Sequence, residues 1–141
     1  GLIAAGVHVH PLTLRLALTL RTSGIFLVSD CMAFAGTDAE ELHLGGRLVR
    51  RGNGRLTLED GTLAGADLTL AQAIAVLVER VGIAPDRALA MATSEPAAVI
   101  GQGHRLGALA PGRRADFVHL APDGTLDGVF CRHSWLVTPE D

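Results

Sequence analysis

An aspartate that directly follows a run of apolar residues is the group in this 141-residue chain best placed to do chemistry. Asp30 ends the segment GIFLVSD, and Gly24 to Ser29 has the length and unbroken apolarity of a strand buried on both faces, as in a parallel sheet. Loops that leave the C-terminal ends of such strands converge on one cavity, so a carboxylate there can take up and return protons in a reaction. The plainer alternative is an aspartate that caps or turns the chain before Gly36-Thr37-Asp38. A second constellation is His8-Val9-His10. If Gly6 to His10 is a strand, both imidazoles lie on one face and Val7 and Val9 on the other, an arrangement able to hold a catalytic Zn²⁺. No third ligand stands at any usual spacing from that pair. His43, His104, His119 and His133 are scattered and read as surface or strand-edge histidines, and Gly101-Gln102-Gly103 does not extend to a dinucleotide fingerprint.

The elements that must position these groups follow from pattern. Pro11 to Arg21 alternates Leu with Thr, Arg or Ala and by strict period would be a strand. Its Leu, Ala and Arg content, the Pro at its start and Gly24 beyond its end predict a helix instead. Between Leu42 and Leu58 three short β-prone pieces are separated by Gly45-Gly46 and Gly52-Asn53-Gly54, which predicts hairpins. Apolar residues at 70, 73, 74, 77, 78 and 81 predict a helix over about 68–81, stopped by Gly82. Further helices are predicted from Pro85 through Ala92 and from Ser94 to Gly101, then strands at 116–120 and 129–132 joined by a Pro-Asp-Gly turn. Strand, helix, buried strand, hairpins, helices and short strands together suggest the end of an α/β barrel with a small β appendage.

Composition narrows the setting. Nearly half the residues are apolar, enough for one modest core. A net charge of −3 with no basic run argues against a nucleic-acid or membrane-surface binder. Apolar stretches are too short and too interrupted to span a bilayer, and the first residues lack the basic region of a signal peptide. Cys31 and Cys131 fit neither a CxxC motif nor a disulfide framework, so a reducing, cytoplasmic location is expected. The start at Gly1, without Met and at the edge of a predicted strand, raises the expectation of a missing N-terminal portion.

Three local patterns occur together: GLIAAGVHVHP at 1–11, LVSDCMAFAGT at 27–37 and DGTLAGADLTL at 60–70. In that order and at those intervals the chain resembles N-acetylglucosamine-6-phosphate deacetylases. The tail, PAAVIG at 96–101 followed by LGALAPGRRADFVHL at 106–120, resembles the return from barrel to small β-sandwich seen across the amidohydrolase superfamily. The resemblance implies the C-terminal part of a TIM-like (β/α)8 barrel over 1–104, with a hairpin insertion at about 40–60, and strands of the small β-sandwich domain over 105–141. It implies Asp30 as the catalytic acid/base, His8 as a substrate-contacting histidine, and Ala5-Gly6-Val7 and Leu63-Ala64-Gly65 as substrate-binding stretches. In that superfamily an HxH metal pair lies on the first barrel strand, most of a barrel before the aspartate. Here one predicted helix separates His8 from Asp30, which argues that His8-Val9-His10 is not that motif.

The same resemblance implies a small-molecule amino-sugar phosphate as partner and a divalent metal, zinc or similar, in the full-length parent. The metal's ligands, a glutamate and two histidines, are expected upstream of Gly1, so none is expected in this chain and the chain alone is expected to be inactive. The sequence departs from the family where it has Ala5 in place of an acidic residue, and Cys31 and Phe34 in place of small ones. Two other readings stand beside this one. The first is an inert sugar-phosphate-binding or interaction domain that covers its open edges as a homo-oligomer, with a dimer expected. The second is another amidohydrolase-superfamily hydrolase with a different amide substrate.

Overall fold

The computed structural model describes residues 1–137. The chain starts with an extended segment whose Leu2 forms a parallel bridge to Leu27, with Leu2 N donating to Phe26 O (2.9 Å) and Val28 N to Leu2 O (3.0 Å). The predicted strand at 24–29 is therefore reduced to a single bridge, and of its residues only Leu27 is buried rather than both faces. The predicted strand at Gly6 to His10 does not form. Gly6 takes a left-handed conformation (φ 67°) that ends the extended path, residues 6–9 bend, and His10 caps the following helix through its Nδ1, which accepts from Leu12 N. His8 and His10 consequently share no strand face.

Helix α1 (Pro11–Leu20) begins on its proline, as expected, and buries Leu14 and Leu18. A single 3₁₀ turn (Met32–Phe34) follows Asp30. An antiparallel meander comes next: β1 (Glu41–Leu44), β2 (Arg47–Gly52), β3 (Arg55–Leu58) and β4 (Leu63–Ala66), in spatial order β1-β2-β3-β4. Its first two turns are the glycine pairs read from sequence. Gly45 and Gly46, and likewise Asn53 and Gly54, all have positive φ, the conformation tight hairpins require.

Helix α2 (Leu70–Val76) opens with a capping box between Thr69 and Gln72 and continues into a π-helical turn (Leu77–Val81) that stops at left-handed Gly82. The apolar stripe falls as predicted, with Ala73, Leu77 and Val81 buried. Helices α3 (Pro85–Ala92) and α4 (Ser94–Val99) follow. The chain then enters a second antiparallel sheet, β5 (Phe117–Leu120), β6 (Leu126–Cys131) and β7 (Ser134–Val137), in that spatial order. In its first turn, hydrogen bonds from the Thr125 hydroxyl and backbone N–H hold the Asp123 carboxyl below its ordinary range. The end of the predicted 105–141 unit, residues 138–141, lies outside the described residues.

Two cores result. Ala4, Leu14, Leu18, Leu27, Leu68, Ala73, Leu77, Val81, Ala88 and Met91 join the opening segments to the helices. Phe34, Val49 and Leu56 form a smaller core that fixes the loop after Asp30 onto the four-stranded sheet. The chain is mixed α/β, and among the described residues no helix is long and apolar enough to cross a membrane.

Candidate active site

Asp30 is exposed and sits in left-handed backbone (φ 55°), a conformation aspartate tolerates better than most residues. Met32, two residues on, is left-handed as well (φ 54°). What holds this path is β4: Ala66 N donates to the Asp30 carbonyl at 2.9 Å. The approach is so close that a Cβ built on Gly65 would lie 2.7 Å from Asp30 O and 3.0 Å from Met32 Sδ. Only glycine fits at 65, because that contact is to backbone on one side and to the Met32 side chain on the other.

His8 reaches the same strand. Its Nε2 lies 3.2 Å from Gly65 O. A carbonyl oxygen only accepts, so Nε2 carries the proton, and in the neutral ring Nδ1 presents a lone pair. That Nδ1 is buried and has no hydrogen-bond partner. A buried acceptor left unmatched costs free energy unless something supplies a donor, so a hydrogen-bond donor reaching this atom would be stabilising.

The three sequence-selected stretches therefore meet through Gly65, whose N-terminal neighbours differ in role. Ala64 packs against the core of Phe34, Val49 and Leu56, while Leu63 is half exposed. On the first stretch Ala5 packs against the larger core, and Gly6 lies so near the Arg80 guanidinium that a Cβ there would be 2.5 Å from it. Val7 faces the β2–β3 turn, within 3.7 Å of a Cβ built on Gly54. Beside Asp30, Cys31 Sγ lies 3.1 Å from Ser29 Oγ.

Arg51, at the end of β2, was not among the sequence-selected residues, yet it contacts the loop after Asp30 directly. Nη2 donates to Phe34 O (2.8 Å) and Nη1 to Thr37 O (2.6 Å), and the guanidinium carbon lies 5.2 Å from the Phe34 ring centroid. Nε is 3.2 Å from Asp67 Oδ1, an ion pair by distance without hydrogen-bond alignment. One signal for it was present: Arg51 is two residues from buried Val49 on the same strand, hence on the same face, where a charged side chain must find partners.

Among the described residues no group of three or more His, Cys, Asp and Glu side chains could hold a metal ion. The side chains assembled around Asp30 thus do not by themselves make a metal centre. They can move a proton and accept hydrogen bonds from a bound molecule.

Comparison with known proteins gives the family of the chain. The chain is 37% identical over 127 residues to N-acetylgalactosamine-6-phosphate deacetylase of Shewanella sp. (strain ANA-3), covering 87% of this chain and 31% of that protein. It is 32% identical to N-acetylglucosamine-6-phosphate deacetylase of Caenorhabditis elegans, over 100% of this chain and 34% of that one. The crystal structure of N-acetylglucosamine-6-phosphate deacetylase from Pasteurella multocida matches with a TM-score of 0.91 at 30% identity, over 98% of this chain and 36% of that chain. The chain spans about a third of the length of these relatives. The model of the amidohydrolase family matches residues 2–135, nearly the whole described length, and this chain belongs to that family.

Proposed function

We propose that this chain is the C-terminal portion of a deacetylase that hydrolyses N-acetylglucosamine 6-phosphate to glucosamine 6-phosphate and acetate. The observation that supports the proposal is the meeting of the His8 ring, through Nε2, and the Asp30 backbone carbonyl at Gly65, residues by which the sequence resembles that enzyme family. A relative from Mycobacterium smegmatis, 28% identical with a TM-score of 0.85 over 97% of this chain, was solved as a point mutant in complex with N-acetyl-D-glucosamine-6-phosphate.

In this reading Asp30 takes one proton from the water that attacks the acetyl carbonyl. The C–N bond then breaks, and the same carboxyl returns the proton to the sugar nitrogen, which leaves as the amine. His8 Nδ1 accepts a hydrogen bond from a sugar hydroxyl, while its Nε2–H to Gly65 fixes the ring. Ala5 to Val7 and Leu63 to Gly65 wall the sugar. The divalent metal, zinc or similar, that the amidohydrolase family generally uses is held by groups other than those described. We further assign residues 1–104 to the closing part of a (β/α)8 barrel and 105–141 to its small β-sandwich, in a protein of the cytoplasm, where two unpaired cysteines are at home.

The test is acetate release by the full-length protein. Asp30→Asn is expected to lower kcat on the order of 10²–10⁴-fold, the usual weight of a general acid/base, and an unchanged kcat would refute the assignment. A second substrate is favoured by one finding, that the Shewanella relative is named for N-acetylgalactosamine 6-phosphate. Assaying both epimers side by side separates them: the epimer with the higher kcat/KM is the substrate this sugar pocket fits.

A further inference from the structure

We propose that Arg51 is a positioning residue for Asp30, clamping the loop after it onto the four-stranded sheet so that the carboxylate is presented in one orientation. The inference rests on Asp30 being the proton carrier. Asp30 and Met32 both occupy left-handed backbone, which non-glycine residues hold only where the surroundings over-determine it. Two ties supply that constraint. At the near end Ala66 N holds the Asp30 carbonyl. At the far end Arg51 takes two carbonyls of the same loop at once, Phe34 O and Thr37 O.

The geometry joins the two ends. Asp67, which faces Arg51 Nε, directly follows the residue that binds Asp30, so one guanidinium links the loop's exit to the strand that grips its entry. The Phe34 ring under the guanidinium is fully buried, and the Thr37 hydroxyl and N–H both donate to Phe34 O, so the turn Arg51 reads is itself rigid. A planar fork with donors on separate nitrogens can hold two carbonyls and a carboxylate together; an ammonium cannot keep that geometry.

The experiment compares Arg51→Met and Arg51→Lys with wild type and Phe130→Leu in the full-length protein, below every variant's melting transition. Phe130→Leu loosens the aromatic stack of the C-terminal sheet and alters no residue of the clamp. For Arg51→Met, kcat is expected to fall on the order of 10- to 100-fold with KM within about threefold. Arg51→Lys should recover part of the loss, and Phe130→Leu should stay near wild type. A wild-type kcat in Arg51→Met, a rise in KM alone, or an equal loss in Phe130→Leu would overturn the proposal. If Arg51→Met does not fold, Arg51→Lys decides, since an unchanged kcat there also overturns it. Hydrogen exchange at amides 31–37 reads the clamp without catalysis: exchange should quicken in the Arg51 variants, and unaltered exchange refutes the clamp. A wild-type protein inert toward both N-acetylhexosamine phosphates would instead sink the role given to Asp30, while the exchange result still judges Arg51.

Discussion

Gly65 is where the residue scale is sharpest. Its missing side chain lets the Asp30 carbonyl approach to a distance no Cβ permits, and its own carbonyl takes the His8 ring. Gly65→Ala must push the Asp30 peptide or the Met32 side chain aside. We expect it to destabilise the protein by roughly 1–3 kcal/mol, as overpacking does. Activity should fall further than the stability loss explains, because the displaced peptide carries Asp30. Melting and acetate release measured on one preparation check both parts. Asp30 and His8 were legible in sequence because each is of a type that chemistry uses, whereas Gly65 was named only through the family resemblance. Their meeting was not legible, because a 57-residue separation between His8 and Gly65 is bridged only by the fold.

Elements were most readable where a local signal is strong. The glycine pairs at 45–46 and the Asn53-Gly54 turn set the hairpins, and the 3.6-residue apolar stripe set the helix ending at Gly82. Strands without a local signal in their own residues or in the turn before them were not readable. β4 is four residues of Leu, Ala and Gly with little strand propensity and exists because β3 pairs with it. β7 follows a turn made by Arg132 and His133, both with positive φ and without the Asn-Gly, Asp-Gly or Gly-Gly pair that marks such a turn in sequence. The alternation at 6–10 misled for the opposite reason: it had the period of a strand, but Gly6 breaks the path before His8. At α2 the sequence signal was the apolar stripe, and the structure adds a capping box that is testable. Thr69→Ala removes the hydroxyl that accepts from Gln72 N and is expected to cost about 1 kcal/mol in thermal unfolding, with Thr69→Ser close to neutral.

At the scale of the whole molecule, the chain leaves a row of leucines uncovered. Leu12, Leu16 and Leu20 recur every fourth residue on α1 and are 59–75% exposed. A contiguous apolar stripe of this kind drives association when nothing covers it. The 141-residue chain by itself is therefore expected to self-associate at micromolar concentration, and Leu16→Glu to shift its sedimentation toward monomer. A wild-type chain that sediments as monomer throughout would contradict this.

The C-terminal sheet carries a different consequence. Phe117 and Phe130 stack at 5.1 Å, and Trp135 meets both edge-on at 5.7 and 5.5 Å. Trp135 is the single tryptophan in a sequence that contains no tyrosine. Nearly all the near-ultraviolet absorbance and emission of this chain thus originates in β5 to β7. A melt followed by tryptophan would report the unfolding of that sheet and stay dark to events around Asp30, so a label placed near the loop is needed before fluorescence can see the site.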